Sequence, residues 1–87
     1  MSPEYDEIRI TTSREIRICE QAIKKLKKIV YEMEIKYGMQ TNMFLEKYGR
    51  GMLSETRDFI SWKESYAGIG NWEARLKEYR DTIEQTK

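Results

Sequence analysis

Apolar residues return at alternating intervals of three and four through the first half of the chain. Ile16, Cys19, Ile23, Leu26, Val30, Met33 and Tyr37 make an unbroken run of this kind. That is the a/d rhythm of a helix built to lie along another helix. Thr12-Ser13-Arg14-Glu15 fits a capping box at its start, with the Thr hydroxyl on the N3 amide and the Glu reaching back. No Gly, Pro or Asn interrupts the stretch before Gly38, which can adopt the positive φ of a C′ residue, with Met39 closing a Schellman contact. The pattern predicts one uninterrupted helix over 13–37.

A short second helix is expected from Thr41 to Tyr48, stopped by Gly49 and Gly51, with a loop over 50–53. A third long helix starts near Ser54 or Thr56. Its large apolar residues are Phe59, Trp62, Tyr66, Ile69, Trp72, Leu76, Tyr79 and Ile83, and their rhythm slips between Ile69 and Trp72. Gly68 and Gly70 flank the slip, and each costs a helix about 1 kcal/mol relative to Ala. They mark a kink, a break or a close backbone approach, so helix is expected on both sides of a defect.

Residues 1–12 carry a different pattern. Ile8 and Ile10 alternate with Glu7, Arg9 and Thr11, which suggests a short strand. A lone strand needs a ladder, from a second copy or from another protein's sheet edge. A frayed tail or an early helical turn are the alternatives. The expected fold is therefore mainly α. A long, a short and a second long helix, the last with a defect, pack as an antiparallel helical hairpin or coiled coil. An arm, 1–12, precedes one helical domain, 13–87. Whether the seam closes within the chain or between subunits stays open at this level.

Composition sharpens this picture. An 87-residue chain buries only about 60–65% of its unfolded surface, and association is a common remedy. Charged residues make up 36% of it, against about 25% in ordinary soluble domains. The net charge of +1 lacks the basic excess of a dedicated nucleic-acid binder, so nucleic acid is not expected as the main ligand. One Cys and no His exclude a disulfide within the chain and a Cys/His zinc site. The opening MSPEYDEIRI has no apolar leader segment, and no apolar run approaches the roughly 18 residues of a membrane span. A cytoplasmic protein without membrane contact is the expectation.

No catalytic pattern is present. Without His there is no Ser-His or Cys-His pair, and no P-loop or dinucleotide glycine pattern occurs. Gly49-Arg50-Gly51 lacks both a preceding strand and a following Lys-Ser/Thr, which leaves turn chemistry. A non-enzymatic protein with no cofactor and no metal is expected. Cys19 is expected to pack as a small hydrophobe. Lys24, Lys25, Lys27 and Lys28 form the one basic cluster, either a solvated face or a patch for an acidic partner or phosphate backbone.

Two Trp, six Tyr and five Met exceed what one hairpin seam needs, and Trp, Tyr and Met are enriched in interface cores. Ile8, Ile10, Met43, Phe44, Tyr48, Met52, Leu53, Phe59, Trp62 and Tyr66 are the candidate partner-binding residues. Filling the junction between the short helix and the two long ones is the competing role for the same set.

From Tyr37 to Glu84 the order of features is a helix ending Lys36-Tyr37-Gly38-Met39, a short helix with Phe44 and the exit Gly49-Arg50-Gly51, then Asp58-Phe59-Ile60-Ser61-Trp62 opening a charged last helix. This order resembles a family of small prokaryotic antitoxin-like proteins, whose genes lie beside toxins generally thought to act on RNA. The likeness covers rather more than half the chain and excludes residues 1–12. Arg57 with few acids before Phe59, and the glycines at 68 and 70, depart from the family pattern. The resemblance implies a binding protein that neutralises a cognate toxin by direct contact. Two other functions compete. Ile and Val at a with Leu and Met at d favour a structural parallel homodimer, and a dimer or higher oligomer is expected. A strand before a helix also suggests a ribbon-helix-helix DNA-binding regulator, but that fold needs a turn within 13–37, where no turn residue occurs.

Overall fold

The computed structural model describes residues 3–85. Three helices account for nearly all of them: α1 (Pro3–Tyr37), α2 (Thr41–Gly49) and α3 (Arg57–Gln85). The hairpin is elongated, 58 × 20 × 17 Å along its principal axes. Lys36 meets Asp58, Leu26 meets Gly68 and Glu20 meets Arg80. Partner numbers rise as α1 numbers fall, so α1 and α3 run antiparallel along one seam.

The rod over 13–37 is a single helix, and it starts earlier than the sequence suggests. Residues 5–11 are helical and form no strand, and Thr12 caps nothing. Once a long helix is nucleated, extending it costs far less than starting one, and two alternating Ile residues cannot outweigh that. Pro3 is tolerated as the first helical residue because its missing N–H would have been an orphan anyway. Thr12 instead occupies the next seam position before Ile16, at 7% exposure.

Both helix exits rest on glycines in the left-handed region. Gly38 (φ 61°) ends α1, with its amide on the Ile35 carbonyl and the Met39 amide on the Glu34 carbonyl. This is the Schellman pairing expected from Gly38-Met39. Gly51 (φ 72°) repeats it after α2, with the Gly51 amide on Tyr48 and the Met52 amide on Lys47. Gly49 is therefore the last helical residue of α2 rather than its stop. Thr41 opens α2 as its first helical residue and is preceded by the cap position. Gln40 holds that position without a side-chain bond, and Thr41 is drawn inward instead. Thr56 caps α3, its Oγ1 accepting the Phe59 amide at 3.2 Å.

Gly68 and Gly70 do not break α3, which is continuous from Arg57 to Gln85. The slip in rhythm came from counting Tyr66 as a seam residue. Ser65 is the buried one, at 6% exposure, whereas Tyr66 is 42% exposed. From Trp62 onward the seam runs Trp62, Ser65, Ile69, Trp72, Leu76, Tyr79, Ile83 at unbroken alternating intervals of three and four, and Phe59, outside that alternation, packs against Phe44 of α2. A Cβ on Gly68 would lie 3.0 Å from Leu26 Cδ1, while one on Gly70 would meet nothing within 4 Å. Of the three readings offered by the glycine pair, a break is absent, and what comes close, at Gly68 alone, is the Leu26 side chain rather than a backbone.

Every expected residue of the α1 seam packs into the core. Cys19, Ile23 and Val30 are buried, and Ile16, Leu26, Met33 and Tyr37 pack against them half-buried. α3 of the same chain covers the seam.

Candidate functional site

α2 folds back over the closed end of the hairpin, where the sequence concentrates its aromatic residues. Phe44 and Trp62 lie face to face, with ring centroids 3.9 Å apart and planes within 2°. Phe59 tilts against Phe44 at 5.4 Å and against Tyr37 at 4.9 Å. Tyr48 closes the cluster at 5.7 Å from Phe44. Phe44 and Trp62 are wholly enclosed, at 0% exposure.

A polar relay holds this cluster together. Trp62 Nε1 donates to Thr41 Oγ1 at 3.0 Å, and that hydroxyl donates to Glu34 Oε2 at 2.9 Å. The same carboxylate oxygen accepts the Thr41 backbone amide at 2.9 Å. One hydroxyl thus serves as acceptor for α3 and donor to α1 while sitting in the first turn of α2, so all three helices meet at it. The Glu34 carboxylate also takes up the Thr41 amide, which the helix start would leave unpaired. No buried side-chain nitrogen or oxygen among the described residues lacks a partner.

A second charged knot lies beside it. Asp58 Oδ2 accepts from Lys36 Nζ at 2.6 Å and from Tyr37 Oη at 2.5 Å. These two bonds hold the Asp58 carboxyl below its ordinary range, the Lys36 bond contributing most. The same carboxylate raises Lys36 and Tyr37 above theirs. Tyr48 is also raised, by burial first and then by Glu55, whose Oε1 its hydroxyl meets at 3.2 Å.

The structure divides the expected partner-binding residues. Phe44 and Trp62 are core, so neither is free to meet a partner. Tyr48, Leu53 and Phe59 are half-buried and packed against that core. Met43, Met52 and Tyr66 remain in solvent at 52%, 64% and 42% exposure. Ile10 is exposed too, but on α1 far from this end, and the Ile8 side chain lies outside the described residues. The segment that was to present both Ile residues from a strand is helical, so no strand edge is offered there. Two exposed residues at the closed end were absent from the expected set: Ile35 in the last turns of α1, and Ile60 on the outer side of α3. Their signal was available. Both lie off the heptad seam of their helix, at positions where an apolar residue has no neighbour within the hairpin.

A shallow depression lined by Glu34, Gln40, Thr41, Asn42 and Tyr66 opens next to the relay. Among the described residues no three of His, Cys, Asp and Glu gather where they could hold a metal ion. Cys19 is buried in the seam as a free thiol, and no described helix is long and apolar enough to cross a membrane. Comparison with protein-family models, with curated proteins and with solved structures gives no match.

Proposed function

We propose that this chain is a non-enzymatic protein-binding module, and that its partner is a cognate toxin which it neutralises by direct contact. One observation carries the binding reading: Ile35, Met43, Met52, Ile60 and Tyr66 stand in solvent around the closed end of the hairpin. That end is stiffened beneath by the Phe44–Trp62 stack and the Thr41 relay. Apolar anchors on a rigid base suit binding, because little backbone freedom remains to be lost on contact. The area of the molecule supports the same reading. A compact folded chain of this mass would expose about 5,400 Å², and this one exposes 6834 Å². The surplus exceeds the roughly 800 Å² that one partner contributes to a standard interface. The toxin as partner rests on the resemblance of residues 37–84 to antitoxin-like proteins.

Co-expression with the protein encoded by the adjacent gene tests the proposal. The expected outcome is a co-purifying complex and relief of that protein's toxicity. Met43→Asp with Met52→Asp should abolish both while leaving the helical signal and melting temperature of the free chain near the parent's. A neighbour that neither binds nor poisons cells would end the toxin reading.

The surplus area also favours self-association. The α1 seam is already covered by α3, so a homodimer would use the exposed anchors or the outer helix faces. Light scattering separates the cases: a mass near 10.5 kDa at micromolar concentration excludes a stable dimer.

A further inference from the structure

The charge of this molecule is unevenly spread, and the fold makes the imbalance larger than the sequence suggests. Residues 8–31 hold seven basic side chains and two acidic ones, while the rest of the chain holds nine and thirteen. Within α1 the packing sorts them further. Glu20 is drawn to the flank to meet Arg80 at 3.6 Å, and Glu15 is half-buried beside the seam. Arg14, Arg17, Lys24, Lys25 and Lys28 lie on the side of the helix turned away from α3, and all five are exposed. None of them makes an ion pair among the described residues. Two shallow depressions follow one another along this side. Arg9, Ile10, Ser13, Arg14 and Arg17 line the first, and Gln21, Lys24, Lys25, Lys27, Lys28 and Tyr31 the second. From Arg14 to Lys28 the helix rises about 21 Å, with no acid on this face along the way. Lys24 and Lys28, one turn apart, repel each other and weaken the helix slightly. Such a row becomes favourable when a dense negative charge lies along it.

We propose that the outer face of α1 is a docking surface for the phosphate backbone of duplex DNA, bound without regard to sequence. The form of the surface selects this occupant. Lysine is depleted in protein–protein interfaces, and this face is lysine-rich and shallow; the one exposed large apolar side chain between Arg17 and Lys28 is Ile18, which lines neither depression. An anionic membrane would need the apolar side of the helix for insertion, and α3 occupies that side. A single strand is held by stacking on aromatic rings, and Tyr31, at the far end, is the one aromatic ring here. The B-form major groove, about 12 Å wide, admits a helix, whereas the deep, narrow major groove of duplex RNA does not. Only Ser13, Gln21 and, at the far end, Tyr31 among the residues lining this face are uncharged hydrogen-bonding side chains, too few to read bases. The surface is separate from the anchors at the closed end, so it stands or falls independently of the toxin reading.

Fluorescence anisotropy of the whole chain with a labelled mixed-sequence duplex of about 20 base pairs tests it. Binding should be micromolar at 50 mM salt and equal for unrelated sequences. Five neutralised phosphates would give a slope of log affinity on log salt of about −4.5. Lys24→Gln with Lys28→Gln should reduce that slope by about 2, with helicity and melting temperature retained. Arg57→Gln with Lys77→Gln, which removes equal charge elsewhere, should leave it unchanged. Four outcomes would overturn the proposal: no saturable binding at 50 mM salt; equal losses from the two double variants; equal or tighter binding to duplex RNA; or equal binding to polyglutamate or to phosphatidylglycerol vesicles.

Discussion

Thr41 connects more of the molecule than any other polar residue. Its hydroxyl uses its acceptor on Trp62 and its donor on Glu34. In Thr41→Val the shape is kept and both bonds are lost, leaving the buried indole N–H unpaired. A buried group left without its partner costs about 1–3 kcal/mol, so urea unfolding should show a loss of that order with an unchanged slope. Asp58 makes a different prediction. Its native pKa is lowered, so its contribution is present above its ordinary value and is lost as pH falls through the lower native one. Lys36 and Tyr37 are raised, so their contributions are present below their ordinary values and are lost as pH rises through the higher native ones. With ordinary values near 4 and 10, this knot should leave melting temperature level from about pH 5 to pH 9 and falling on both sides. Asp58→Asn should remove the knot's share of the acid-side fall and return the Tyr37 phenol toward its ordinary titration, read by ultraviolet absorbance.

At the level of the helices, two glycines two residues apart have opposite roles. Gly70 lies inside α3 with open space where a Cβ would stand, so it costs helix stability without any packing gain. Gly70→Ala should stabilise by about 0.5–1 kcal/mol, a rise of a few degrees in melting temperature for a chain of this size. Gly68 faces Leu26 so closely that Ala would require the Leu26 methyl to yield by a few tenths of an ångström. Gly68→Val, bulkier and stiff at χ1, should force α1 and α3 apart. Overpacking of this kind costs about 1–3 kcal/mol, measurable in the same unfolding experiment. Opposite signs at neighbouring glycines would confirm that the seam, and not helix propensity, governs position 68. Ser65 follows the same logic: a small seam residue beside Gly68 lets the helices approach, and the large Tyr66 next to it is left outside.

For the whole molecule, stability and partner binding should separate by residue. Trp62 is enclosed between Phe44 and Tyr37 and tied to Thr41. Truncating such a buried aromatic costs about 3–5 kcal/mol, a large share of what a domain this small possesses. Trp62→Ala should therefore lose its cooperative melt, by circular dichroism, whether or not a partner is present. Leu26→Asp should also unfold the chain, because it places a charge against the apolar seam at the close approach to Gly68. Met43→Asp and Met52→Asp should leave the melt intact and change only association. The candidate surface is thus not the aromatic set as a whole but the fraction left outside once α2 has closed over Phe44 and Trp62.

Local rules were enough for much of this protein. The α1 seam, the Gly38-Met39 exit and the second helix to within a residue all follow from heptad spacing and left-handed glycine. These are properties of a few consecutive residues and need no knowledge of what lies across the interface. Other features had no local signature. Thr12-Ser13-Arg14-Glu15 has the composition of a helix start, yet continuing an existing helix costs less than nucleating one, so α1 begins at Pro3. Size and aromaticity pointed to Tyr66 as a seam residue, but the distance between two helix axes decided for Ser65. Phe44 and Met43 are both large, apolar and adjacent in α2, and nothing in their neighbours along the chain says which is buried. Only the packing of α2 across both long helices divides core from surface, because burial is set by what lies opposite a residue in space.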